Sequence, residues 1–138
     1  MTTIVTPRPP LNLFEVVRKT VSGDVGTLIY SVPTYRIPEN GPTPQRDVDA
    51  AAILTSLMIA NTSTGATTAT IWVVDKVLTE FTLASSVEIA LESYARIDLD
   101  KQVLLSGEEI YISVSAGDTA EAHLSFVLNQ REEFTVIV

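Results

Sequence analysis

IYISVSAGDTAEAHLSFVL, residues 110–128, alternates twice around a single turn. Ile110, Ile112, Val114 and Ala116 share one face, with Tyr111, Ser113 and Ser115 opposite. Gly117-Asp118 turns the chain, and Ala120, Ala122, Leu124, Phe126 and Leu128 then face away from Glu121, His123 and Ser125. Successive side chains leave a strand on opposite faces, so a period of two predicts two half-buried strands.

The same period recurs on either side. Asn129 to Glu133 read as a polar turn, and Phe134, Val136 and Val138 as a last strand. Upstream, Val87, Ile89 and Leu91 alternate, as do Ala95, Ile97 and Leu99. Residues 85–94 contain helix formers, but their apolar spacing is two, so extended structure is expected. TATIWVVD at 68–75 and AAILTSLMIAN at 51–61 flank the polar NTSTGATT segment, the pattern of an antiparallel hairpin. Gly26 opens a strand with Leu28, Tyr30 and Val32 on one face, and Pro33 ends it. In the first strand Phe14, Val16 and Arg18 share a face, with Val17 opposite. Eight to ten short strands, no long helix and no fixed repeat predict an all-β fold: an antiparallel β-sandwich, jelly-roll-like. Its expected core draws on Leu28, Tyr30, Ile53, Leu57, Ile59, Trp72, Val74, Ile112, Val114, Leu124 and Phe126.

Two segments lie outside this pattern. Residues 1–11 read as an N-terminal arm, because Pro7, Pro9 and Pro10 withhold backbone donors and favour an extended path. The arm lies on a neighbouring subunit or is a loose terminus; the residues leave both open. Residues 33–47, with four prolines, read as a long loop inserted in a single domain over 12–138.

Composition narrows the function. A 138-residue chain that is 46% hydrophobic can bury a core without disulfides, and it has no cysteine. The net charge of −8 repels nucleic acid and anionic membranes. The N-terminus MTTIVTPRPP has prolines where a signal peptide has its apolar run, and the longest apolar run, 50–54, is too short to span a bilayer. Synthesis in the cytoplasm is expected. No catalytic constellation is visible: His123 alternates with Glu121 and Ser125, and GxSxG, SxxK and phosphate-binding glycine loops are absent. Asp98 and Asp100, with Glu108 and Glu109, could hold calcium at a loop, although carboxylates of this kind are more often solvated. The chain is therefore expected to be no enzyme and to need no cofactor or metal.

Candidate contact residues come from the irregular segments. Tyr35 and Arg36, followed by Ile37, combine an aromatic body with a guanidinium, a composition common at interface hot spots. A tyrosine packing its own loop onto the sheet is the competing reading. Arg46 can pair with an acidic neighbour. Pro7, Pro9 and Pro10 restrict the arm and lower the entropy lost on docking. Phe134 and Val136 belong to an end strand able to pair with another subunit.

Three stretches in combination, GTLIYSVP at 26–33, LTSLMIANTSTGATTATIWVVD at 54–75 and DKQVLLSGEEIYISVSAGDTAEAHLSFVL at 100–128, resemble small β-sandwich virion proteins of tailed bacteriophages, in particular accessory head or tail proteins of phages of cyanobacteria and related hosts. The shared positions are structural: Pro33, Asn61, Leu104, Gly107 and Ile110. The chain departs from the pattern in its proline-rich loop, its arm and its final FTVIV strand. The resemblance implies a non-catalytic virion protein that decorates or cements the capsid or joins neck, tail or baseplate parts. Its implied partners are other virion proteins in a homo-oligomer or symmetric array. A carbohydrate-binding module recognising a host glycan is the alternative, and aromatic residues exposed together on one sheet face would favour it.

Overall fold

A computed structural model describes residues 3–7, 11–38, 45–48, 50–99, 102–130 and 133–137. The strands are β1 (Thr3–Pro7), β2 (Leu11–Ser22), β3 (Thr27–Ser31), β4 (Tyr35–Pro38), β5 (Gln45–Val48), β6 (Ala50–Asn61) and β7 (Thr67–Val74). They continue with β8 (Glu80–Ile89), β9 (Tyr94–Ile97), β10 (Val103–Leu105), β11 (Glu109–Ser113), β12 (Thr119–Gln130) and β13 (Glu133–Ile137). No helix occurs among the described residues.

The pairing is nested. β1 pairs with β13, β2 with β12, β3 with β11, β6 with β9 and β10, and β7 with β8, all antiparallel. The chain thus forms one long hairpin, and folding that hairpin over itself makes two sheets. One has the order β10-β6-β12-β2, with β9 also on β6; the other is β3-β11-β7-β8. This is the jelly-roll arrangement of a β-sandwich, and the fold expectation holds.

Consequently strands adjacent in sequence often lie in opposite sheets. The expected hairpin of 51–61 with 68–75 does not form: β6 and β7 belong to different sheets. The polar segment between them is an arch whose corner is Asn61. Its buried Nδ2 donates to the carbonyls of Gly65 (2.8 Å), Ile89 (3.1 Å) and Ala90 (3.2 Å), while its Oδ1 accepts from the Ser63 amide at 2.8 Å. These bonds tie the arch to the end of β8 instead of closing a two-stranded turn.

Inward-facing side chains of both sheets fill the core. Leu124 and Phe126 of β12 meet Ile71 of β7 and Ile110 and Ile112 of β11 in a continuous buried cluster. Tyr30 lies against it, its ring 4.3 Å from that of Phe126 between centroids. Two β-bulges correct the expected core. In β6, Ser125 opposes Ser56 and Phe126 opposes Leu54, so Thr55 is an extra residue and the alternation flips there. Ala52 and Leu54 are buried before the bulge and Leu57 and Ile59 after it, which leaves Ile53 half-buried on the outer face. The Thr55 hydroxyl donates to the Ser125 carbonyl at 2.9 Å. In β3 the register slips so that Ile29 is the extra residue. Ile29 is buried, and Leu28 turns outward at 40% exposure.

Trp72 is also not core. It alternates with the buried Ile71 and Val73 and lies on the outer face, stacked on Tyr111 of β11 at 5.7 Å and 9°. Gly26 sits beneath it at φ +109°, and a Cβ there would lie 2.6 Å from the indole ring. Glycine is required on both grounds.

The proline-rich stretch, expected to be irregular throughout, contains the β4–β5 ribbon. Pro33 precedes the ribbon and Pro38 ends its first strand, positions where a missing amide costs a ladder little.

Candidate interaction surfaces

The predicted contact residues that are described fall on two ribbons outside the two sheets of the sandwich. Pro7 ends β1 opposite Glu133, Phe134 faces Thr6, and Val136 faces Ile4. The β2–β12 ladder reaches Leu11 opposite Gln130, and β1–β13 resumes it with a one-residue change of register. The first and last strands therefore prolong the outer pair of the sandwich as a two-stranded extension. Pro9 and Pro10 lie outside the described residues.

Tyr35 pairs with Val48, Arg36 with Asp47, and Ile37 with Arg46, so the second ribbon brings four of the predicted residues together. Its base is clamped by the turn after β10. The buried Ser106 hydroxyl accepts from the Ala50 amide at 2.7 Å and donates to the Pro33 carbonyl at 2.9 Å, joining both ends of the excursion. Two backbone bonds reinforce this: Ser106 to the Ala50 carbonyl at 3.1 Å and Gly107 to the Val32 carbonyl at 2.9 Å. Gly107 adopts φ +84° in the turn, and Glu108 Oε1 accepts from the Leu105 amide at 2.7 Å. The Leu104-x-x-Gly107-Glu108-x-Ile110 motif is thus the fastening of the ribbon.

The outer face of the β2-containing sheet carries surface that sequence reasoning did not assign. Phe14, Val127, Ile53 and Val103 occupy matching positions on β2, β12, β6 and β10, forming an apolar row across four strands. Phe14 is 87% exposed. The alternation that put Phe14, Val16 and Arg18 on one face was the available sign; missing was the register that aligns them with Val127 and Ile53.

A parallel row holds Arg18, His123, Met58 and Arg96. These line a depression of about 510 Å³ together with Ser56, Ser125 and Asp98. His123 has no hydrogen-bonded orienting partner among the described residues, so its imidazole is not held toward either serine. Of the carboxylates considered for calcium, Asp100 lies outside the described residues, and no group of three or more His, Asp or Glu among those described is placed to hold a metal.

On the opposite sheet, stacking uses one face of each ring of the Trp72–Tyr111 pair, and Gly26 underlies the indole. Partial burial first, then the neighbouring Glu109 carboxylate, raises the Tyr111 pKa above the ordinary tyrosine value. The phenol is 3.5 Å from Glu109 Oε1, a long and weak donor contact.

One side of the sandwich lies between β2 and β3, each of which ends its sheet. Val17, Lys19, Leu28, Ile29, Tyr30 and Ser31 line a groove of about 350 Å³ there.

No protein-family model and no curated protein matches the sequence. Among solved structures, the chain is similar to one in the acidic stable capsid structure of Helicobacter pylori bacteriophage KHP30, with 7% identity over 99% of this chain and 100% of that one and a TM-score of 0.42. It is also similar to chains in structures of infectious bursal disease virus: the Gt strain, at 12% identity and TM-score 0.42, and the Gx strain, at 13% and 0.36. Each match covers 91% of this chain, which spans about a third of the bursal disease virus chains.

Proposed function

We propose that the chain is a non-catalytic virion structural protein of a tailed bacteriophage, a rigid jelly-roll body that joins other virion proteins through its ribbons. One observation carries the reading. The β4–β5 ribbon takes no part in either sheet of the sandwich, yet Ser106 fastens both of its ends. A ribbon fastened at its base loses less entropy on meeting a partner than a free loop does. The β1–β13 extension offers a second such element. Jelly rolls serve in viral capsids and in lectins, so topology alone leaves the class open. The sequence resemblance to phage accessory proteins favours the virion, with decoration or cementing of the capsid and joining of neck, tail or baseplate parts as the roles it fits.

The test replaces residues 36–46 with a short glycine linker and, separately, removes residues 1–10. Both variants are expected to keep the β-rich circular dichroism of the parent and to lose incorporation into particles. Normal incorporation of both would move the contact to the sheet faces and overturn the assignment.

The glycan-binding alternative draws on Trp72 and Tyr111 sharing an outer face. Quenching of the single tryptophan by host-surface oligosaccharides, lost in Trp72→Phe, would favour it. The mutual stacking of the rings speaks against an open sugar platform.

A further inference from the structure

We propose that two copies of this chain pair edge to edge through β2, antiparallel and centred on Val17. β2 ends its sheet, and no strand pairs its outer edge among the described residues. It runs from Leu11 to Ser22 with neither proline nor bulge, so a long stretch of ladder is open to a partner. Edge strands are usually blunted by charge, and β2 carries Glu15, Arg18 and Lys19. Their spacing selects the partner.

A two-fold axis perpendicular to the sheet keeps the faces aligned, so residues of equal parity must oppose one another. Four such registers overlap most of the strand. Centred on Glu15, the carboxylates oppose each other; centred on Arg18, the guanidinium groups do. Centred on Val16, Lys19 falls on Leu13 and Glu15 on Val17. Centred on Val17, Glu15 opposes Lys19 twice, Leu13 opposes Val21, and Val17 meets its own copy. On the groove face only this last register matches both charges and apolar groups, although on the outer face it sets Arg18 opposite Val16 and Thr20 opposite Phe14, and it excludes its neighbours by repulsion or mismatch. Glu15 and Lys19 are exposed and stand on the groove side of β2 with Val17. Pairing there would also cover the apolar side chains of Val17, Leu28 and Tyr30 that line the groove.

The contact rests on the assembly reading only for its purpose. A chain that dimerises but never enters particles would leave the contact standing and remove the role.

Sedimentation of the purified full chain at up to about 100 μM, where contacts of micromolar Kd are populated, tests the proposal. The parent is expected to dimerise. Glu15→Lys and Lys19→Glu each set like charges opposite one another and should weaken the homodimer by about tenfold or more. An equimolar mixture of the two should form the heterodimer, and the double exchange Glu15→Lys with Lys19→Glu should restore the homodimer. Both positions are exposed, and circular dichroism verifies that each variant is folded. The chain has no cysteine, so Val17→Cys reads the register directly: it should crosslink to itself on mild oxidation, and Leu13→Cys should not. A monomeric parent overturns the proposal, as do single variants that dimerise like the parent, a mixture that stays monomeric, or Val17→Cys that fails to crosslink.

Discussion

Asn61 shows how much one buried side chain organises. Its two amide protons serve three carbonyls, and its oxygen holds the Ser63 amide, so one residue ties the arch to the end of β8. Alanine would strand those groups in a buried site. Asn61→Ala is expected to cost about 1–3 kcal/mol, read as a lower urea midpoint with unchanged slope. Asn61→Asp should cost at least as much at neutral pH, because a carboxylate cannot donate to the carbonyls of Gly65, Ile89 and Ala90. The first residues of this arch were readable as turn formers; their reach to the end of β8 was not.

Among the elements, the β4–β5 ribbon and the turn after β10 act as one unit. Ser106 lies 73 residues from Pro33 and 56 from Ala50, so the clamp joins parts of the chain that meet only in the folded sandwich. Ser106→Ala removes both side-chain bonds and leaves the Ala50 amide without its partner. The expected loss is about 1–3 kcal/mol in global stability. Residues 34–49 should at the same time become more sensitive to limited proteolysis than the sheets, because the change loosens the base of the excursion. Unchanged cleavage there, alongside a global loss, would show that the ribbon is held by something other than Ser106.

For the whole molecule, nested pairing sets the folding problem. The outermost sandwich pair joins Leu11 to Gln130, residues at nearly opposite ends of the chain. Among the described residues only β7–β8 and β4–β5 pair strands that are consecutive in sequence. Loop closure is therefore costly early in folding, and the chain is expected to fold on the millisecond-to-second scale of all-β sandwiches, measured by stopped-flow tryptophan fluorescence. Microsecond folding would contradict this topology. Trp72, stacked on Tyr111 across β7 and β11, reports that pairing directly.

The sequence by itself determined that the chain is all-β, where most strands lie, and that β12 buries Ala120, Ala122, Leu124, Phe126 and Leu128, because that strand alternates without interruption. It also marked Asn61, Gly107 and Pro33 as points where the path changes. Faces were lost wherever a bulge intervened. One extra residue at Thr55 and another at Ile29 reverse the parity of what precedes them, and periodicity carries no mark of an unpaired residue. The candidate contact residues were chosen on composition; their pairing into two ribbons, the apolar row from Phe14 to Val103 and the edge position of β2 were not legible. Those features depend on which strands become neighbours. Tertiary structure decides that, because a two-residue period records which side of a strand is buried and holds no information about the strand beside it.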